Sequence, residues 1–195
     1  AEDTHAALQG RRALDVNWDL GAHAQTSSAS IRVGFERRFA DAGVTVRSDG
    51  DPDAAWSAAA RTLEAVYEVP FQAHACMEPM NCTADVRADG CDIYVPTQAQ
   101  TRCQRTGMAI TGLSEDQVRV HTTFLGGGFG RRGEQDFVRD AVALSKALGR
   151  PVQVIWSRED DIRHDYYRPA GLSRLRGGLD VDGMPVLWKH HIVCP

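Results

Sequence analysis

Residues 122–137 read TTFLGGGFGRRGEQDF, with five glycines inside the eight residues Gly126–Gly133 and one aromatic, Phe129, set among them. Each glycine costs about 0.5–1 kcal/mol of backbone entropy relative to alanine, so this density exceeds what a turn needs. It suits a loop whose bare backbone must come close to a ligand, with Phe129 aimed at it and Arg131 and Arg132 offering charge to anionic groups. Gly128, Gly130 and Gly133 also satisfy G-x-G-x-x-G after an apolar run, the pattern that sets a pyrophosphate against peptide N–H groups and a helix N-terminus. Against that reading, the first acidic residue on the next strand, Glu159, lies 26 residues beyond Gly133, farther than the usual spacing of about 20. A nicotinamide or flavin enzyme therefore stands as one alternative, and a non-catalytic binding or scaffold module as another.

Two other groups could carry chemistry. HACMEPMNC places His74, Cys76, Met77, Met80 and Cys82 together, soft ligands at a density that suits copper. The competing reading is a packed strand end with methionine as filler and buried thiols, and Glu78 before Pro79 reads as fixing a loop. IRHDYYRP brings His164 and Asp165 beside two tyrosines, which suits either acid–base work or a hydrogen-bonded surface loop. No residue is assigned as a metal ligand. No G-x-S-x-G is present, so the glycines are not the oxyanion loop of a hydrolase of that type.

The elements that must position these residues follow from hydrophobic period and punctuation. Helices are expected at 4–12, from Ser27–Ser28 to a C-terminal stop at Gly43, at 52–60, at 99–110 ending on Gly112, and at 134–148. Strands are expected in ALDVNWD, TLEAVYEVPF, QVRVHTTFL and PVQVIWS. Hairpins are expected with tips at Asp89–Gly90 and Asp182–Gly183. Hairpins mixed with strand–helix–strand units predict an α+β fold with a mixed β-sheet. RSDGDPD is a turn cluster, and a subdomain boundary is expected near residue 50.

The 195 residues are 43% hydrophobic, enough for a core in one domain or two small ones. Basic and acidic residues, 22 and 26, are mixed throughout, which gives no nucleic-acid footprint and no membrane-surface patch. The five cysteines form no C-x-x-C pair, so neither a zinc ribbon nor a dithiol redox site is signalled. No apolar run reaches the roughly 18–20 residues of a membrane span, and AEDTHAALQG lacks the character of a signal peptide. Lacking an initiator methionine and stopping within the alternating run VLWKHHIV, the chain reads as an excerpt of a longer protein.

Four blocks in order, YEVPFQAHACMEPMNCTA (67–84), YVPTQAQ (94–100), FLGGGFGRRGEQDF (124–137) and VIWSREDDIRHDYYRPA (154–170), resemble the large subunit of the xanthine dehydrogenase and aldehyde oxidase family of molybdenum hydroxylases. The branch most resembled is that of isoquinoline 1-oxidoreductase beta subunits and membrane-associated aldehyde dehydrogenases. The resemblance implies a tail of an N-terminal, hammerhead-like subdomain over 1–50 and an incomplete first molybdopterin-binding subdomain over 51–195. It implies molybdenum on molybdopterin, in a dinucleotide form, and hydroxylation of an aldehyde or N-heteroaromatic carbon with oxygen from water. Electrons would pass to 2Fe–2S clusters on a small partner subunit and onward to a cytochrome c subunit, in a periplasmic or membrane-associated setting.

By the same resemblance Gln98 places its side-chain amide beside the molybdenum ligands, and Gly128, Phe129 and Gly130 form the loop whose peptide amides press on the cofactor. Gly126, Gly127 and Arg131 serve the loop's path or a cofactor phosphate. Purine-oxidising members carry a glutamate four residues after the loop phenylalanine; here that position is Gly133, with Glu134 one step later, which makes purines doubtful substrates. The family's catalytic glutamate is expected outside this chain, among the remaining large-subunit residues, so these 195 residues alone are expected to be inactive.

Overall fold

The computed structural model describes all 195 residues, Ala1–Pro195. The chain forms two compact units, one made of residues 1–66 and 172–193, the other of residues 67–171 and 194–195. The expected boundary near residue 50 falls within the first unit.

In the first unit, helix α1 (Thr4–Arg12) starts on Asp3, whose carboxylate accepts the Ala6 amide, and helix α2 (Ser28–Arg38) starts on a Ser27–Ser30 capping box. Helix α3 (Pro52–Ala58) has Asp51 as its cap and proline at its first turn. Strand β1 (Arg61–Val69) begins here and joins a three-stranded sheet of order β1–β6–β7, in which β6 (Gly171–Leu179) and β7 (Pro185–Val193) are the expected antiparallel hairpin. Two expectations fail. ALDVNWD is not a strand: residues 13–20 run without regular structure, with Leu14, Val16 and Trp18 exposed, because no neighbouring strand supplies a ladder for an alternating sequence to pair with. Helix α2 stops at Arg38, capped by Phe39, although Gly43 does take a left-handed φ of +69° further along.

The second unit holds the candidate site. Its sheet has the order β4–β3–β2–β5, from β2 (Asn81–Val86), β3 (Cys91–Val95), β4 (Val118–Thr122) and β5 (Val152–Ile155). β2 is antiparallel to both β3 and β5, while β3 and β4 are parallel, so the sheet is mixed and the fold is α+β as expected. Parallel β3 and β4 require a crossover, supplied by helix α4 (Gln100–Thr111), which ends on left-handed Gly112. Helix α5 (Asp136–Leu148) connects β4 to β5 and buries Phe137, Val138, Ala141 and Val142 against β2 and its neighbours. The opposing apolar layer comes from alternate strand residues, Cys82 and Ala84 on β2 and Cys91, Ile93 and Val95 on β3. Ser145, fully buried on α5, is satisfied by donating to the Arg150 carbonyl and accepting from the Val86 amide.

Helix α6 (Arg158–Arg163) was not anticipated; its start is a Ser157–Asp160 capping box within WSRED. The glycine loop does not lead straight into a helix either. A 3₁₀ turn over Arg131–Gly133 intervenes, and α5 begins at Asp136 instead of 134.

Candidate cofactor-binding site

The glycine loop leaves the end of β4 and is met from two sides. The first neighbour is the segment after β3, PTQ, which brings Gln98 against the loop: Gly130 N–H donates to Gln98 Oε1 at 3.1 Å. The second is the HACMEP segment, where Glu78 N–H donates to the Gly126 carbonyl at 3.1 Å and Gly126 N–H donates to Glu78 Oε2 at 2.8 Å.

These approaches explain why two of the positions are glycine. A Cβ on Gly128 would lie 2.5 Å from Gln98 Oε1 and 2.6 Å from its Cδ, and one on Gly126 would lie 2.5 Å from Glu78 Cβ. The chain has only two non-glycine residues at positive φ, Ala75 at +45° and Phe129 at +52°, and both belong to this site. Such a conformation costs about 1–3 kcal/mol and is retained only where the surroundings impose it, commonly at ligand contacts. Phe129 nevertheless keeps 64% of its surface exposed, so the strain does not serve to bury its ring.

The two arginines depart from the sequence expectation, in which they offer charge to a ligand. Both are buried, Arg131 at 1% and Arg132 at 0% exposure. Arg131 donates from Nη1 and Nη2 to the two carboxylate oxygens of Asp136 at 2.9 and 2.7 Å, and its Nε lies 2.9 Å from Asp165 Oδ1, close enough to pair but off the N–H direction. Phe137, Trp156 and Tyr166 surround the guanidinium with ring centroids at 5.3–5.9 Å. Burial opposes its charge, but the Asp136 hydrogen bonds and the nearby carboxylates outweigh that and raise its pKa. Of the two roles expected for Arg131, this fits the loop's path; the guanidinium has no face left for a phosphate. Arg132 donates to the carbonyls of Gly127, Pro96 and Glu78 and to Glu78 Oε2.

The structure also joins residues the sequence held apart. Asp165, from the IRHDYYRP loop, accepts the His74 N–H at 2.5 Å and lies 3.0 Å from His74 Nδ1, and the His74 ring sits by Gly130 on the loop's other flank. The His164–Asp165 reading therefore separates: Asp165 is 1% exposed and supports the loop, while the His164 side chain is 72% exposed. The soft ligands of HACMEPMNC do not converge. Cys76, Met80 and Cys82 are core residues, Met77 is exposed and His74 faces Asp165. Burial pushes the Cys82 thiol up to about 12, with a smaller contribution from the neighbouring thiols Cys103 and Cys91.

What remains without a partner is a set of donors. The amides of Gly127, Gly128 and Phe129 make no hydrogen bond within the chain, whereas those on either side, Gly126 and Gly130, do. Gln98 uses its oxygen on Gly130 and leaves Nε2 without a partner. Three consecutive unpaired peptide N–H groups and a side-chain amide form a set of donors suited to oxygen-rich, electron-rich ligands. A dinucleotide pyrophosphate fits less well, because the helix that follows opens on Asp136, a negative charge in its first turn, and only after an intervening 3₁₀ turn.

Comparison with known proteins shows the family. The molybdopterin cofactor-binding domain family matches residues 36–194, and the chain belongs to that family, which is one of molybdenum oxidoreductases. Among curated relatives, the isoquinoline 1-oxidoreductase subunit beta of Brevundimonas diminuta is 31% identical over 98% of this chain and 26% of its own length. The membrane-bound aldehyde dehydrogenase (pyrroloquinoline-quinone) of Gluconacetobacter polyoxogenes is 31% identical over 92% of this chain and 24% of its own length. Among solved structures, the aldehyde oxidoreductase of Desulfovibrio gigas superposes with a TM-score of 0.65 at 20% identity, covering 74% of this chain and 16% of that one, a likeness of fold. The chain thus spans about a quarter of the length of these curated relatives.

The structure sets Gln98 against the glycine loop, the closeness expected from the sequence, whereas the contacts of Arg132 and Asp165 were not expected. The pairing of Glu78 with Arg132 across 54 residues, and of His74 with Asp165 across 91, leaves no local pattern to read.

Proposed function

We propose that this chain supplies one wall of the molybdenum site in an oxidoreductase that hydroxylates an aldehyde or N-heteroaromatic carbon with oxygen from water. The observation that carries the reading is the row of unpaired amides at Gly127–Phe129 beside the free Nε2 of Gln98. When bound, molybdopterin with molybdenum supplies the redox chemistry and the activated oxygen. The chain's own residues bind and orient. Gln98, held through Oε1 by Gly130, keeps its Nε2 donor available, and the loop amides stabilise negative charge at oxygen ligands as preorganised dipoles. Phe129 offers an apolar surface that excludes water next to those donors.

Neither of the two carboxylates that brace this wall, Glu78 and Asp165, is free to act as a base. Glu78 is tied to Arg132 and Gly126, and Asp165 to His74 and Arg131. We therefore place the proton-abstracting group in large-subunit sequence other than these residues, and expect the 195 residues alone to be inactive. A dinucleotide form of the pterin, a 2Fe–2S partner subunit, a cytochrome c subunit as a further acceptor and an exported or membrane-associated location complete the proposal.

The test is metal and pterin analysis of the purified full-length protein. Molybdenum and pterin stoichiometric with the large subunit are expected, and Gln98→Ala or Phe129→Ala should lower turnover in folded protein. A nicotinamide or flavin in place of the pterin would overturn the reading.

A further inference from the structure

We propose that Glu78 and Arg132 form a positioning pair that fixes the direction of the peptide groups in the glycine loop, so that the carbonyls of Gly126, Gly127 and Gly128 are held inward and the amides that follow them, of Gly127, Gly128 and Phe129, turn away. The proposal deepens the reading of this loop as a cofactor wall and rests on it.

The argument begins with the peptide plane. In a trans peptide the C=O and the following N–H point in opposite directions, and the chain has no cis bonds, so pinning one carbonyl sets the direction of the next amide. Three successive planes are pinned in this way. The Gly126 carbonyl accepts from Glu78 N–H at 3.1 Å, which turns the Gly127 amide away. The Gly127 carbonyl accepts from Arg132 Nε at 2.7 Å, which turns the Gly128 amide away. The Gly128 carbonyl accepts from Arg131 N–H at 2.8 Å and from the Cys76 thiol at 3.4 Å, which turns the Phe129 amide away. These are the three amides without partners, so the donor row follows from where its carbonyls are held.

The middle plane is the vulnerable one. Glycine flanks it on both sides, and glycine populates both halves of φ with little penalty, so nothing local prevents that peptide from rotating. The Arg132 guanidinium is its only anchor, and it is itself held by Glu78 Oε2 at 2.8 Å, by the Glu78 carbonyl at 2.7 Å and by the Pro96 carbonyl at 3.3 Å. The same Glu78 oxygen accepts from the Gly126 amide at the loop's start. The Arg132 carbonyl accepts the Gln98 amide and the Thr97 hydroxyl, both at 3.1 Å, so one buried residue sets the register of Gln98 as well. Without the guanidinium the Gly127–Gly128 peptide can turn its carbonyl the other way, replacing a donor by an acceptor where negative charge is to be bound.

The experiment uses full-length protein with its partner subunits and compares Arg132→Met, Arg132→Lys and Glu78→Gln with Gln98→Ala. Readouts on the folded fraction are molybdenum and pterin content, the electron paramagnetic resonance signal of the molybdenum, and kcat separately from KM. A loop whose donors are misdirected should lose cofactor or shift that signal, and kcat should fall on the order of 10²-fold, as for loss of an oxyanion-hole donor. Lysine, which can still donate to the Gly127 carbonyl, should restore part of it. Should Arg132→Met fail to fold, Glu78→Gln keeps the side-chain shape and carries the same readouts. A folded Arg132→Met or Glu78→Gln protein with native cofactor content, an unshifted signal and native kcat overturns the positioning role, even if its melting temperature falls. If Gln98→Ala is also without effect, the cofactor-wall reading fails with it; if Gln98→Ala alone is impaired, only the positioning pair is lost.

Discussion

Replacing Gly128 and Gly126 singly by alanine separates loss of function from loss of stability within one loop. At Gly128 the new Cβ would sit 2.5 Å from Gln98 Oε1, the far end of an exposed, flexible side chain. Ordinary contact between such atoms needs about 3.5 Å, so Gln98 must retreat by about 1 Å. The retreat breaks its bond to Gly130, worth about 0.5–1.5 kcal/mol. An off-rotamer side chain adds a comparable amount at most. Gly128→Ala should therefore cost about 1–2 kcal/mol of stability while removing Gln98 from its place. At Gly126 the clash is 2.5 Å to Glu78 Cβ and 3.3 Å to Glu78 N, atoms that cannot swing aside, so the backbone itself must move. Overpacking of that kind costs typically 1–3 kcal/mol, occasionally more. Urea unfolding of the two variants should rank Gly126→Ala as the less stable. Turnover and molybdenum content of the full-length enzyme should fall sharply in Gly128→Ala despite its milder destabilisation. Native turnover and native molybdenum in Gly128→Ala would refute the claim that Gln98 must stand against the loop.

Further outcomes follow from the buried charges and thiols. Asp165→Ala leaves His74 without its carboxylate and Arg131 with Asp136 as its one carboxylate partner, so unfolding free energy should drop by about 3 kcal/mol, toward the lower end for a broken buried pair; a loss under 1 kcal/mol in urea titration would contradict the network. Native protein treated with iodoacetamide near neutral pH should be alkylated at exposed Cys194 and spared at the four buried cysteines, as read by peptide mass spectrometry, with Cys82 doubly protected by burial and a thiol pushed up to about 12. Asp92 is held below the ordinary carboxyl value of 3.8, first by its hydrogen bond from Arg87 and then by that from His121. A carboxyl whose pKa is depressed on folding adds stability above the unfolded value and loses it as pH falls through the folded one. Asp92→Asn should accordingly melt lower than wild type at pH 7, with the gap closing below pH 3.8; a gap that widens in acid would reverse the assignment.

The amino-acid sequence alone determined the locally encoded elements. Caps at Asp3, Ser27 and Asp51, the Gly112 stop and the Asp89–Gly90 turn each place an element within a residue or two, because capping and turn chemistry act over three or four residues. The mixed sheet and the closeness of Gln98 to the glycine loop were also legible, the latter through family-like blocks in a fixed order. ALDVNWD shows the limit of period: alternation marks what a strand would look like, and only a neighbouring strand makes one.

Tertiary structure alone decided which charges the loop presents. From the sequence, Arg131 and Arg132 are two cations beside a ligand loop; in the fold they are interior, one among carboxylates and aromatic rings, the other on three carbonyls and a carboxylate. A buried guanidinium needs partners for its donors, and those partners come from segments as far as 54 residues away, so no local window can reveal the arrangement. The positive character of the loop comes instead from its peptide groups, whose direction is set by the atoms that hold their carbonyls.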